Sequence, residues 1–235
     1  MVNRPAFIEH PALSRFIPHL QSYALKGLQE LNSKGEPFNI TEKELYAANV
    51  FERIGELDNS VKSLRLAMSF VFNLKNTHED APDVYRYHYE NFLLRLTGIV
   101  DRAHQLVGIS LLLDPVKLRK IGANEFIVKS VASDYPELGK CLNRLKVIVA
   151  KHRILRNEIA HSKAFSTREL GLFSAIRALK IGADSEIKID ELMDAYFSKS
   201  ATELGLLVSE IVREIEALLD ILTPVYEPLF SEVPS

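Results

Sequence analysis

The chain has 235 residues, 47% of them hydrophobic and 26% charged, with a formal net charge of -2. That is enough apolar material for one domain with a core of its own, and too much for a disordered chain. No run approaches the roughly eighteen uncharged apolar residues of a membrane span. The near-neutral balance argues against coating nucleic acid by bulk charge, and the single cysteine, Cys141, excludes an internal disulfide or a cysteine-built zinc cluster within one chain. The opening MVNRPAFIEH has no apolar stretch and no small-residue cleavage site, so a cytoplasmic location is expected.

Prolines punctuate the chain, and the long intervals without them are where long helices can run. Residues 1–40, with Pro5, Pro11 and Pro18, read as an N-terminal arm with a first helix packing on a helical bundle. Thr41 and Glu44 have capping-box spacing. Behind them Val50, Ile54, Leu57, Val61, Leu64, Met68 and Val71 recur in alternating steps of four and three, the seam of a helix packed lengthwise. Pro82 opens a helical segment reaching about Leu113, with Tyr85, Phe92, Leu96, Ile99, Ala103 and Leu106 on one face; Asp114 and Pro115 end it. Residues 115–133 read as a connection with one or two short helices.

Asp134 and Glu137 flank Pro136 as a second capping-box candidate, and Leu138, Leu142, Leu145, Val149 and Ile159 predict a helix of six or seven turns. Ser166 with Glu169 signals a fresh start, residues 182–189 a loop or brief extended piece, and Asp190 a cap for the last helical region. There Leu204, Val208, Ile211, Ile215, Leu218 and Leu222 repeat the four-three alternation, ending at Thr223 and Pro224 before a tail over 224–235. No strand alternation and no internal repeat is present. The predicted class is all-α: an antiparallel bundle of four to five long helices with short additions, over residues 41–223.

The chemistry-bearing stretch is Leu155-Arg156-Asn157-Glu158-Ile159-Ala160-His161-Ser162, at the end of that six- or seven-turn helix. Arg followed by Asn, with His after four intervening residues, resembles the signature of ribonucleases of the HEPN superfamily (higher eukaryotes and prokaryotes nucleotide-binding), which are all-helical bundles. The resemblance rests on Arg156, Asn157 and His161 and on the bundle expected around them. A second pair with loose spacing, Arg4 and His10, lies in the proline-bearing arm without Asn or helix and is set aside.

On a regular helix, five positions turn the chain by about 500°, leaving Arg156 and His161 roughly 140° apart. Either the helix ends between them, or they converge from two copies of the chain. The resemblance implies the second arrangement, a homodimer whose subunits share one cleft. It also implies a metal-independent reaction on RNA without a cofactor, in which the ribose 2′-hydroxyl attacks the adjacent phosphorus. Arg156 suits phosphate oxygens, His161 moves a proton near neutral pH, and Asn157 orients either one.

Charge supports such a partner. Residues 138–168 hold eight bases (Lys140, Arg144, Lys146, Lys151, Arg153, Arg156, Lys163 and Arg168) against Glu158, while residues 184–232 hold twelve acids against three bases. Lys151, Arg153 and Lys163 are the candidate RNA contacts. Glu90 and Asp101, eleven positions apart on one predicted helix, are the candidate supporting acids. Tyr85 to Phe92 interleaves aromatics with basic groups and could stack bases, although Tyr85, Tyr89 and Phe92 also fit a core face. No metal site is expected, since Glu158 and His161 form one isolated pair.

A structural reading stands beside the functional one. Arg156 and His152 fall on the stripe of Leu138, Leu145 and Val149, so Arg156 could be an ion-pair partner, and His161 a cation at a helix C-terminus. The basic and acidic stretches could likewise neutralise each other as neighbours. Two functions stay open: an endoribonuclease or RNA-binding relative, in a defence or toxin setting with a neutralising protein partner, or a non-catalytic helical module for protein–protein interaction.

Overall fold

The computed structural model of the protein describes residues 6–32, 39–74, 80–161, 164–179 and 188–230. Among these, regular structure is entirely helical, the class the sequence predicts. Two 3-10 turns, Phe7–Glu9 and Pro11–Phe16, precede α1 (Ile17–Asn32), α2 (Glu42–Phe72), α3 (Ala81–Leu96), α4 (Gly98–Ser110), α5 (Pro115–Leu118), α6 (Ala123–Val131), α7 (Pro136–His161), α8 (Arg168–Leu179) and α9 (Ile189–Phe230). None of the described helices is long and apolar enough to cross a membrane. The chain divides into two compact units: Met1–Asn59, Val100–Leu145 and Arg213–Ser235 form the first, Ser60–Ile99 and Lys146–Val212 the second.

In the first unit the α2 seam residues Val50, Ile54 and Leu57 are buried, as are Leu138, Leu142 and Leu145 of α7 and Ile215, Leu218 and Leu222 of α9. Each such side chain contributes about 1.5–3 kcal/mol by leaving water. Phe16 is surrounded by aromatic rings, with Tyr226 edge-on at 4.8 Å and Phe230 at 4.6 Å. Polar groups within this core are paired with one another: Tyr46 Oη donates to the Ser110 carbonyl at 2.8 Å, and Tyr226 Oη shares a 2.8 Å bond with Ser110 Oγ. Asp58 accepts from the backbone N–H groups of Phe7 and Ile8, tying the N-terminal turn to α2.

The Thr41–Glu44 capping box forms: the Thr41 N–H donates to Glu44 Oε2 at 2.8 Å and the Glu44 N–H to Thr41 Oγ1 at 3.2 Å. Glu44 also receives Lys26 Nζ at 2.8 Å and Ser22 Oγ. Lys26 first, then Ser22 and the Thr41 N–H, hold its carboxyl down from 4.5 to about 2. A depressed folded-state value means that this contribution to stability is present above about 4.5 and is lost as pH falls towards about 2. Glu44→Gln should therefore lower the urea midpoint at neutral pH and flatten the acid loss of stability across that window. Unfolding curves at several pH values check this, and an acid slope equal to that of the wild type would count against it.

Three boundaries differ from the sequence reading. The segment from Pro82 to Leu113 is two helices, broken at Thr97 before Gly98, a poor helix former. The last helix does not stop at Thr223 but continues through Pro224 and Pro228 to Phe230. Each proline forfeits a backbone donor; burial of Tyr226, its bond to Ser110 and the packing of Phe230 on Phe16 hold the helix together there. The start of α8 is capped by Thr167, whose Oγ1 accepts from the Leu170 N–H at 3.1 Å, one residue after the expected Ser166. Two acids expected as caps are engaged elsewhere: Asp134 accepts from Ser133 Oγ at 2.8 Å, and Asp190, inside α9, pairs with Arg177 at 2.9 Å. The loop expected over 182–189 lies outside the described residues as far as 187.

In the second unit, Val71, Ala81, Tyr85, Phe165, Leu170, Phe173, Met193, Phe197 and Ala201 form one buried cluster, with Tyr89, Ile159 and Tyr196 packed against it. Tyr85 stacks on Phe197 at 5.0 Å and bonds Ser200 Oγ through its hydroxyl at 2.7 Å. Tyr85 and Phe92 are thus core residues.

Candidate functional site

The second half of α7 carries the motif. Its buried stripe, occupied by aliphatic side chains through Val149, continues with His152, Arg156 and Ile159 at steps of four and three. Ile159 packs against the aromatic cluster, and His152 and Arg156 are half-buried beside it in sequence. Arg156 Nη1 donates to Asn157 Oδ1 at 3.1 Å, a link between neighbours that ties the Asn to the guanidinium. Arg156 Nε and His152 Nδ1 are buried without a hydrogen-bond partner. Burial first, then the Lys151 charge, pushes the His152 imidazole below its usual value. His161, by contrast, is exposed and is the last residue of α7, where a protonated imidazole would favourably meet the helix dipole.

The helix is continuous from Arg156 to His161. The first of the two geometric solutions, a helix ending between them, therefore does not occur. Within one copy the two side chains leave the axis about 140° apart and about 7.5 Å along it.

Chain leaving the motif is held by α3. The Phe165 N–H donates to Glu90 Oε1 at 2.6 Å, Arg86 Nε donates to the Phe165 carbonyl at 3.0 Å, and the Tyr89 ring lies 4.2 Å from that of Phe165. Arg86 is itself paired with Asp83 at 2.8 Å. Glu90 thus engages backbone four residues beyond His161. Asp101 belongs to the first unit, on α4, where it accepts from Asn124 Nδ2 at 2.7 Å. Glu90 and Asp101 thus stand on α3 and α4 and not on the single helix expected. The roles of Arg86, Tyr89 and Phe165 leave no trace in sequence spacing, because their partners lie more than seventy residues apart; His152 was legible as the position one turn before Arg156.

Part of the basic stretch is neutralised locally. Lys140 pairs with Glu137 at 2.7 Å, and Arg144 with Glu214 of the acidic stretch at 2.8 Å. Among the described residues no ion pair engages Lys151 or Arg153, and both are exposed. Lys163 and Ser162 lie outside the described residues, as does Arg4. Also among the described residues, no group of three or more His, Cys, Asp or Glu is disposed to hold a metal ion.

No curated protein and no solved structure shows a significant match to the chain. A family model, described as HEPN_Cthe2314-like HEPN, matches residues 29–223 and so takes in everything from the end of α1 to the late turns of α9, with the Arg156–His161 helix inside it. A match over that much of an all-helical chain shows the family: the protein belongs to the HEPN superfamily.

Proposed function

We propose that the protein is a metal-independent endoribonuclease, whose cleft is completed by two copies of the chain. The observation carrying this reading is the continuity of α7 through Arg156 and His161, which leaves one copy unable to aim both along one direction. Two-fold symmetry resolves that divergence, bringing Arg156 and Asn157 of one subunit towards His161 of the other. The outer face of α7 suits such a pairing. Val147 and Ile154 are 58% and 69% exposed and stand at successive heptad positions ending at His161.

In the reaction the ribose 2′-hydroxyl attacks the adjacent phosphorus, a bond to the 5′-oxygen breaks, and the products carry a 2′,3′-cyclic phosphate and a 5′-hydroxyl. Arg156 neutralises the charge developing on the phosphoryl oxygens through charge-assisted hydrogen bonds. His161, exposed at the helix end, exchanges the proton. Asn157 keeps the guanidinium oriented through the 3.1 Å bond it accepts. Glu90 acts at one remove, as a positioning residue that fixes the chain leaving His161. Lys151 and Arg153 supply phosphate contacts, and no cofactor takes part.

The test is product chemistry. Single-stranded RNA incubated with the protein in excess chelator should yield fragments with cyclic phosphate ends, while the same sequence carrying 2′-O-methyl riboses stays intact because the nucleophile is blocked. A broad panel of RNAs left uncut would instead favour the non-catalytic interaction module.

A further inference from the structure

The aromatic residues of α3 divide between two environments. Tyr85 and Phe92 are buried, but Tyr87 is 65% exposed and His88 is turned towards α2, where its ring stacks on Phe70 at 4.3 Å with 10° between the planes. Phe70 is itself 49% exposed, and the Tyr87 ring meets His88 edge-on at 5.1 Å. Flat rings exposed together are costly to leave in water, and a monomer gains nothing in its core from them.

We propose that Phe70, His88 and Tyr87 form a stacking platform for an unpaired base of single-stranded RNA. Four features favour a nucleobase over an apolar protein segment. The exposed surface is built from aromatic rings, Phe70 and His88 parallel and Tyr87 edge-on to them, and such ring faces can receive a base. Polar and cationic groups continue along the same face of the helix: Asn91 lies three positions and Arg95 seven positions beyond His88, and Arg95 Nε donates to Asn91 Oδ1 at 2.7 Å. An exposed guanidinium there complements the phosphate that would accompany a stacked base. Desolvation also holds the His88 imidazole below its ordinary value, which favours the uncharged ring. Finally, α3 is the helix that grips Phe165 through Glu90 and Arg86, so one rigid element carries the platform and holds the chain leaving the motif.

This inference rests on the proposal that RNA is the ligand, but it does not require cleavage. The probes are a short 2′-O-methyl oligoadenylate, which cannot be cut, and an abasic sugar–phosphate chain of the same length and charge. Wild-type protein should bind the oligoadenylate about tenfold or more tightly than the abasic chain. Phe70→Ala with Tyr87→Ala should abolish that difference and leave the salt dependence unchanged, because the cations that meet phosphate are untouched. Tyr87→Phe should retain it. Both residues are exposed, so the variants should fold, which an unchanged melting temperature confirms. Equal binding of the two probes by wild type, no binding of either, or a preference surviving in the double variant would each overturn the platform. So would a double variant that alters sedimentation alone, since that marks a protein-contact surface. Base-dependent binding by a protein that cuts no RNA would uphold the platform and overturn the ribonuclease reading.

Discussion

Mixing Arg156→Ala subunits with His161→Ala subunits should restore RNA cleavage that neither variant shows alone. The expectation comes from the continuous helix between the two residues. If each catalytic set within the shared cleft takes Arg156 from one subunit and His161 from the other, a mixed dimer has one set lacking both groups and one with both intact. Random pairing makes half the dimers mixed, so recovery should approach about a quarter of wild-type activity. Were both groups supplied by the same subunit, no mixture would recover any. Ile154→Glu adds a charge to the exposed apolar heptad face and should yield a monomer without activity, with its folding intact. Sedimentation and cleavage assays on the same samples read both quantities. A wild type that stays monomeric at micromolar concentration would remove the composite cleft.

His161→Ala should lower the cleavage rate by about 10²–10⁴-fold while leaving RNA affinity nearly unchanged, because the imidazole moves a proton and the cations hold the phosphates. Arg156→Ala should lose both cleavage and part of the affinity, since a charge-assisted phosphate contact disappears with it. Lysine should not rescue Arg156, as it offers a point charge without the planar fork. Asn157→Ala should fall between, through the lost 3.1 Å bond to the guanidinium. Single-turnover rates and binding of a 2′-O-methyl oligonucleotide separate the two effects, and melting temperatures identify any folding defect at half-buried Arg156. A His161→Ala protein as active as wild type would reduce the motif to a helix terminus.

Periodicity and short-range chemistry were legible without coordinates. The four-three seams at 50–71 and 204–222 depend only on helical geometry, and their residues are almost all buried where the structure places them. The Thr41–Glu44 box is a contact over three residues and forms as its spacing implies. The Arg156-Asn157 and His161 pattern sits on one helix, and the charge asymmetry around it is a linear property of the chain. These features lead to the expectation of an all-α member of the superfamily, and the family match over residues 29–223 shows that membership.

What tertiary structure decided are outcomes where local preference is weak or is overruled by distant partners. Pro224 and Pro228 are strong local stop signals, yet Tyr226 and Phe230 bury enough ring surface against residues of the N-terminal part to carry α9 past them. Glu90 and Asp101 looked like neighbours on one helix; they lie on α3 and α4, in different units, and each finds its partner within its own unit, Phe165 for one and Asn124 for the other. Tyr85 and Tyr87 are two positions apart with the same side chain, but one is buried against Phe197 and the other is exposed. That division is set by which neighbouring helix covers each face, a long-range fact with no local signature. The motif is divided in the same way: its residue types are written in the sequence, while their divergence depends on α7 continuing unbroken to His161.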